Sequence, residues 1–416
     1  MAGFTTRAIR AASRTPDVRE RPTSIPIYQT ATFSADSVEG LAEAVAERPG
    51  GYAGYGYSRL ANPTVDALGD AVAELEGAEA GFALASGMAA IHAALLSLVS
   101  AGDRIVATRA IYGSTQSLLV RTFGRLGVRT DFVDVTDLDA VERALAAAPT
   151  RVLYLETISN PTIVVADIAA LAAIARRHGA RVVVDSTFAS PYLVRPLDLG
   201  ADLVVHSATK YLSGHSDVLA GVVAGSAALV DPVRKVQVDT GATLAPLAAF
   251  LVIRGLPTLA VRMERQTETA TALATMLEGR PGVARVYYPG LASHPQHDLA
   301  ARMLRIPGAM LAVELDGGRR AGAAFVDALT VPERTASLGS IHTIVAHAAS
   351  TTHRQLDAAQ LAAAGIGPGL LRVSVGLEDA DDLRADFASA LEAASRAAGS
   401  GAGASSDGPE APPSPA

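Results

Sequence analysis

Lysine, aspartate and asparagine each stand just past a short apolar run in this chain. Lys210 follows Leu203–Val205, Asp185 closes Val182–Val184, and Asn160 follows Val152–Leu155. Ser207 and Thr209 flank the lysine. A lysine amine condenses with an aldehyde to an imine. A carboxylate beside a pyridine nitrogen keeps it protonated, so that the ring accepts electrons. Hydroxyls and helix-start N–H groups hold a phosphate. These are the parts that chemistry on pyridoxal 5'-phosphate (PLP) needs. Asp185 suits the ring nitrogen, Lys210 the imine, and Ser207 and Thr209 the phosphate. The run Ser86-Gly87-Met88 opens a helical pattern, and its N–H groups suit the phosphate too. Taken singly, an aspartate at a strand end is usually a cap and a lone lysine a solvated surface group. The run His206-Ser-Ala-Thr-Lys-Tyr211 argues otherwise, because it sets the lysine directly behind a buried strand between hydroxyls.

The elements that must position these residues alternate. Helical spacing marks Thr64–Leu75 and Met88–Val99, and strand candidates are Arg104–Ala107, Val152–Leu155, Val182–Val184, Leu203–Val205 and Val222–Ala224. Asp167–His178 carries an apolar stripe (Val165, Ile168, Leu171, Ala172, Ile174), with Gly179 as its stop. Strand, helix and strand in that order make a βαβ unit and a parallel sheet, whose ligands bind outside the carboxyl ends of the strands. Residues 1–60 read as an irregular arm. Pro16, Pro22 and Pro26 interrupt it, and the tyrosine-rich Gly50–Tyr57 suits contact with a partner subunit. Residues 61–256 then form a large cofactor-binding domain and 257–396 a smaller C-terminal α/β domain. The latter opens on a long helix over Thr258–Leu277, with strands at Ala309–Glu314 and Leu371–Val375. Residues 397–416 are rich in Gly, Ala, Ser and Pro, a composition expected to be disordered.

Composition excludes several classes. The 416 residues carry a net charge of -7 and no basic run with interleaved aromatics, which argues against nucleic-acid binding. Cysteine is absent, so disulfides, iron–sulfur clusters, cysteine-ligated zinc and a cysteine nucleophile are all excluded. Arg7, Arg10, Arg14, Arg19 and Glu20 break up any secretory pattern, and stretches such as Ala89–Val99 are too short to span a bilayer. A cytoplasmic location without membrane attachment is the expectation. His294 and His297 lack the spacing of a helical zinc pair, and no metal site is expected. Gly50–Gly56 neither follow a strand nor open a helix, against a dinucleotide fingerprint.

Seven motifs together resemble the Cys/Met-metabolism, or trans-sulfuration, family of PLP enzymes. They are Tyr57-Ser-Arg-Leu-Ala-Asn-Pro-Thr64, Ser86-Gly-Met-Ala-Ala90, Tyr112-Gly113, Glu156-Thr-Ile-Ser-Asn-Pro-Thr162, Asp185-Ser-Thr-Phe188, His206 to Asp217, and Leu371-Arg-Val-Ser-Val-Gly-Leu-Glu-Asp379. The likeness runs to about Arg396. It implies the PLP-dependent transferase fold of type I: a mostly parallel sheet flanked by helices, with a smaller C-terminal α/β domain. It also implies roles. Lys210 is the imine lysine and main proton shuttle, Asp185 pairs with the ring nitrogen, and Asn160 contacts the ring hydroxyl and the substrate. Tyr112 stacks on the ring and serves in acid–base steps. Gly87, Met88, Ser207 and Thr209 bind the phosphate, while Tyr57 and Arg59 reach the phosphate of a neighbouring subunit in a homotetramer built from dimers. Arg372 binds the substrate carboxylate, a task its fork suits better than a lysine would. Ser337 orients the substrate or Lys210, and His206 and His215 are structural parts of the lysine motif.

The family divides into γ-replacement on an activated homoserine and γ-elimination to a 2-oxo acid and ammonia, using the same residues. Ser114 stands where methionine γ-lyases usually carry cysteine. His342 stands where many cystathionine enzymes have a glutamate suited to a distal ammonium, which a neutral imidazole binds poorly. Ala349 to Leu356 looks more like sulfhydrylases, and Ser86 to Ala90 more like the synthase and lyase branch. The sequence favours γ-replacement of the cystathionine γ-synthase or O-acylhomoserine sulfhydrylase type. Cystathionine or methionine γ-elimination is the second reading, and a catalytically silent scaffold is a remote third that the presence of Lys210, Asp185 and Arg372 opposes. The Asn160 and Ser207–Lys210 contexts disfavour an aminotransferase.

Overall fold

A computed structural model describes residues 2–12, 22–351, 361 and 365–399. The chain opens with a helix at Phe4–Ala12 whose Phe4, Ala8 and Ala11 are buried beside Val72 and Leu75 of the helix Pro63–Glu76. A second short helix, Val38–Ala44, precedes a two-residue hairpin of β1 (Glu47–Arg48) and β2 (Gly51–Tyr52). The first sixty residues are thus less irregular than their prolines suggest. Tyr52 and Tyr55 are half-buried: Arg234 lies 4.9 Å over the Tyr52 ring, and Phe33 sits 5.6 Å from Tyr55. Pro16 and the rest of 13–21 lie outside the described residues.

Seven strands form the main sheet, in the order β3 (Ala80–Leu84), β9 (Gly221–Gly225), β8 (Leu203–His206), β7 (Arg181–Asp185), β6 (Val152–Glu156), β4 (Arg104–Thr108) and β5 (Arg129–Val133). The five strands from β8 to β5 are mutually parallel, while β9 runs antiparallel to both its neighbours. The near-continuous apolar runs follow from burial on both faces. Val152 and Tyr154 of β6 enter one core with Ile105, Val183 and Leu203, whereas Leu153 and Leu155 enter the other with Val106, Val182 and Val184. The intervening helix Ile168–Arg177 fills that second core with Ile168, Leu171, Ala172 and Ile174. Asp167 caps it by accepting from the Ala170 N–H at 3.0 Å, and Gly179, at φ +70°, ends it.

A smaller antiparallel sheet follows, ordered β10 (Val283–Tyr287), β11 (Met310–Leu315), β13 (Leu370–Ser374) and β12 (Ile344–His347). It has its own core, in which the Phe325 and Phe387 rings meet edge-on at 5.5 Å. The last helix, Ala380–Gly399, runs three residues past the expected end of order at Arg396; the remainder of the tail, 400–416, lies outside the described residues. The run Pro246–Leu277 is long and apolar enough to cross a membrane by length and composition. Leu256, Leu259, Met263 and Leu273 within it are fully buried inside the protein, as in a core helix.

Candidate active site

The carboxyl ends of β6, β7 and β8 open on one cleft of about 210 Å³, and the residues singled out from the sequence converge there. Gly87, Met88, Tyr112, Asn160, Asp185, Ser207, Thr209, Lys210 and Arg372 all line it. Ser337 stands behind, its hydroxyl accepting from the Lys210 ammonium at 2.8 Å. Glycine at 339, with φ +74°, makes that meeting achievable. A Cβ there would fall 2.7 Å from the Tyr211 nitrogen and 3.2 Å from the Lys210 Cα. Burial first, and the Arg372 charge second, pull the Lys210 ammonium down to about 8. A lysine so placed spends an appreciable fraction of its time as the neutral nucleophile.

Asp185 faces the cleft from the end of β7, with one oxygen accepting from the Thr187 N–H at 2.9 Å. Burial raises its carboxyl above the ordinary value, and the Thr187 bonds hold that rise back. His206 lies in a fully buried pair with Glu76, Nε2 to Oε1 at 2.6 Å, which ties β8 to the helix Pro63–Glu76. At the other side of the cleft, the helix Gly87–Leu96 begins. Ser86 caps it by accepting from the Ala89 N–H at 3.1 Å, which leaves the first N–H groups, those of Gly87 and Met88, at the cleft. A Cβ on Gly87 would sit 2.6 Å from the Ser207 Cβ, so only glycine brings these donors beside the Ser207–Thr209 turn.

Arg372 comes from the other sheet, on β13. Its guanidinium is buried, and that burial draws it down to about 10. It donates to the Asn160 side-chain oxygen at 3.1 Å and to the carbonyls of Ser337 (2.7 Å) and Ala336 (3.3 Å). Its Nε has no hydrogen-bond partner, and no carboxylate pairs with it among the described residues. A buried cation left without an anion is what an amino-acid carboxylate would complete.

The residues therefore fit PLP. Asp185 offers an anion in dry surroundings for the ring nitrogen, the Gly87–Ser207 contact makes a cradle of N–H and hydroxyl donors for the phosphate, and Lys210 is poised for the aldehyde. Tyr112 is 42% exposed over the cleft mouth, as a residue meant to cover a ligand ring would be.

Tyr57 and Arg59 do not line this chain's cleft. The Arg59 guanidinium lies 5.3 Å over the Tyr57 ring and donates to the Val238 carbonyl at 2.7 Å, leaving the tyrosine 42% exposed. Ser114 and His342, the two positions used above to separate reaction types, are also outside it. Both are exposed, and among the described residues the hydrogen-bond partner of His342 is Ser340. The inference drawn from them has no geometric footing in this cleft, which instead is shaped by residues with no role assigned from the sequence. Ile91, Ile158, Phe188, Leu219 and Leu338 supply an apolar lining, and Glu156 a second buried carboxyl. Glu156 had a visible signal, being a charged residue that closes an otherwise wholly apolar strand. His294 and His297 bond to the Ile163 and Pro289 carbonyls, and no metal-holding cluster occurs among the described residues.

Residues 5–392 match the family model described as Cys/Met metabolism PLP-dependent enzyme. An L-methionine gamma-lyase of Pseudomonas putida is 48% identical over 397 residues, which cover 94% of this chain and 98% of that protein. An O-succinylhomoserine sulfhydrylase of Pseudomonas aeruginosa is 46% identical over 311 residues, covering 75% of this chain and 77% of its own. The solved cystathionine gamma synthase of Xanthomonas oryzae pv. oryzae, in complex with aminoacrylate and cysteine, overlays with a TM-score of 0.89 at 39% identity. That overlay covers 95% of this chain and 100% of the other.

Proposed function

Because the chain belongs to the Cys/Met-metabolism family of PLP-dependent enzymes, we propose that it cleaves the γ-substituent from an L-amino acid in which that substituent is small and uncharged, a thioether such as methionine's. Water completes the γ-elimination, and the products are a thiol, ammonia and 2-oxobutanoate. This choice departs from the γ-replacement that the sequence favoured. The apolar lining carries it. Beyond the carboxylates Asp185 and Glu156 and the cations Lys210 and Arg372, the cleft offers Ile91, Ile158, Phe188, Leu219 and Leu338. A succinyl carboxylate or the distal charges of cystathionine would meet no spare counter-charge in this chain's own lining, and an unpaired charge is costly to bury. A methylthio group buries about as well as a methionine side chain in any core.

Bound PLP supplies an electron sink for the pair left at Cα when a proton departs. The chain's residues do the rest. Arg372 holds the substrate carboxylate, taking it as a fork on Nη and Nε. Lys210 would hold the cofactor's aldehyde and, as the free amine, would take the proton from Cα and return protons where the substrate's bonds rearrange. Ser337 holds the lysine's nitrogen between those positions, and Tyr112 covers the ring and delivers a proton to the departing sulfur. Asp185 keeps the ring nitrogen cationic. Tyr57 and Arg59 serve the phosphate in a neighbouring subunit of a tetramer made from dimers.

A second reading, γ-replacement on O-acetylhomoserine by sulfide, uses the same residues and an equally uncharged substituent. The likeness to the Pseudomonas aeruginosa sulfhydrylase favours it. A substrate panel decides between them. Methionine alone should yield methanethiol and 2-oxobutanoate at rates well above those with O-succinylhomoserine or cystathionine. Turnover of O-acetylhomoserine with sulfide to homocysteine, with methionine inert, would overturn the first reading in favour of the second.

A further inference from the structure

Glu156 closes β6 and lines the cleft, yet none of the chemistry above uses it. It is buried, opposite Asp185 in the β6–β7 register, and forms no ion pair among the described residues. Its two oxygens are both engaged. Oε1 accepts the backbone N–H of Tyr112 at 2.7 Å, and Oε2 accepts that of Asn160 at 3.2 Å. Tyr112 stands in the loop after β4 and Asn160 in the loop after β6, so one side chain spans two strand-end loops that each carry a site residue. We propose that Glu156 is a positioning residue: a carboxyl clamp that fixes the Tyr112 ring and the Asn160 amide relative to each other across the cleft.

Several observations support this role over a merely structural one. A buried carboxyl beside a second carboxyl is an unfavourable thing to keep for stability, because desolvation and like charge both act against it. The fold could close β6 with an apolar residue, as it closes β3 with Leu84 and β5 with Val133. What an apolar residue could not do is accept two N–H groups from different loops. A carboxyl accepts on both oxygens whether or not it carries a proton. Glutamine accepts on one side only, and on the other sets its NH2 against an N–H. The Asn160 side-chain oxygen in turn accepts from Arg372, so the clamp extends from the tyrosine that covers the ring to the arginine that takes the substrate carboxylate.

The proposal rests on the PLP-enzyme assignment and is indifferent to elimination or replacement, so its test avoids γ-chemistry. The holoenzymes of wild type, Glu156→Gln and Glu156→Ala are compared by amide hydrogen exchange and by solvent-deuterium incorporation at Cα of L-norvaline, which has no γ leaving group. In both variants the amides of Tyr112 and Asn160 should exchange at least about tenfold faster, with the neighbouring strands unchanged. The kcat for deuterium incorporation should fall about 100-fold at nearly constant KM, as expected of a misplaced site. Glu156→Gln should stay folded, the one hydrogen bond it loses being set against the buried like charge it removes. If Glu156→Ala fails to fold, the isosteric glutamine alone carries the test. Unchanged protection of the two amides, or unchanged kcat in Glu156→Gln, would overturn the proposal. Products other than 2-oxobutanoate from wild type would instead count against the elimination reading and leave these readouts untouched.

Discussion

Lys210 carries a pH signature that does not depend on turnover. Its folded-state value of about 8 lies below that of an unfolded lysine near 10.5. Between those values the unfolded chain binds more protons than the folded one, so stability rises with pH across that window. In the cofactor-free chain, the urea-unfolding free energy of wild type should gain on that of Lys210→Met between pH 8 and 10, by at most about 3 kcal/mol. Parallel curves for the two proteins would refute the shift, and loading the cofactor should abolish it by occupying the amine. Arg372 makes a second prediction at this scale. Lys in its place keeps the charge and loses the fork, so Arg372→Lys should raise KM roughly 10- to 100-fold, with a smaller effect on kcat. Steady-state kinetics on methionine check it; an unchanged KM would move the carboxylate site elsewhere.

At the level of elements, Glu76 and His206 join the helix Pro63–Glu76 to β8, directly behind the lysine turn. Removing one member leaves the other buried and unpaired, so Glu76→Ala should cost about 3–5 kcal/mol of stability by denaturant titration. Glu76→Ala melting like wild type would show the pair to be idle. The central strands were legible because two-sided burial demands unbroken valine, isoleucine and leucine, as in Val182–Val184. So was the helix Ile168–Arg177, where Asp167 and Gly179 punctuate the stripe. Other strands escaped notice for physical reasons. β3 reads Ala-Gly-Phe-Ala-Leu, whose small residues allow Gly81 to lie against Gly69 of a helix and erase the usual signal. β5, at the sheet edge, carries Arg129, Thr130 and Asp131. The site residues at strand ends were readable for the same reason as the strands. The cleft lining was not, since Phe188, Leu219 and Leu338 come together only through folding and resemble ordinary core in the sequence.

For the whole molecule, the placement of Tyr57 and Arg59 away from their own chain's cleft makes an assembly prediction. Arg59→Ala and Lys210→Ala subunits, each inactive alone, should regain up to about a quarter of wild-type activity on random mixing, because half of the mixed dimers' sites combine two intact halves. Mixed oligomers confirmed by mass spectrometry yet inactive would place both residues at their own site. Within one chain, the cleft is also where the two sheets meet, and the bonds across it are few and specific: Arg372 of β13 to Asn160 beyond β6, and Lys210 beyond β8 to Ser337. A substrate carboxylate seeks the same guanidinium that Asn160 already engages. The Nε of that guanidinium is unpartnered, so a carboxylate can dock there with the Asn160 bond left in place. An amine lacking the carboxylate leaves that Nε buried and unpaired, and discrimination against such compounds is written into the empty protein before any ligand arrives.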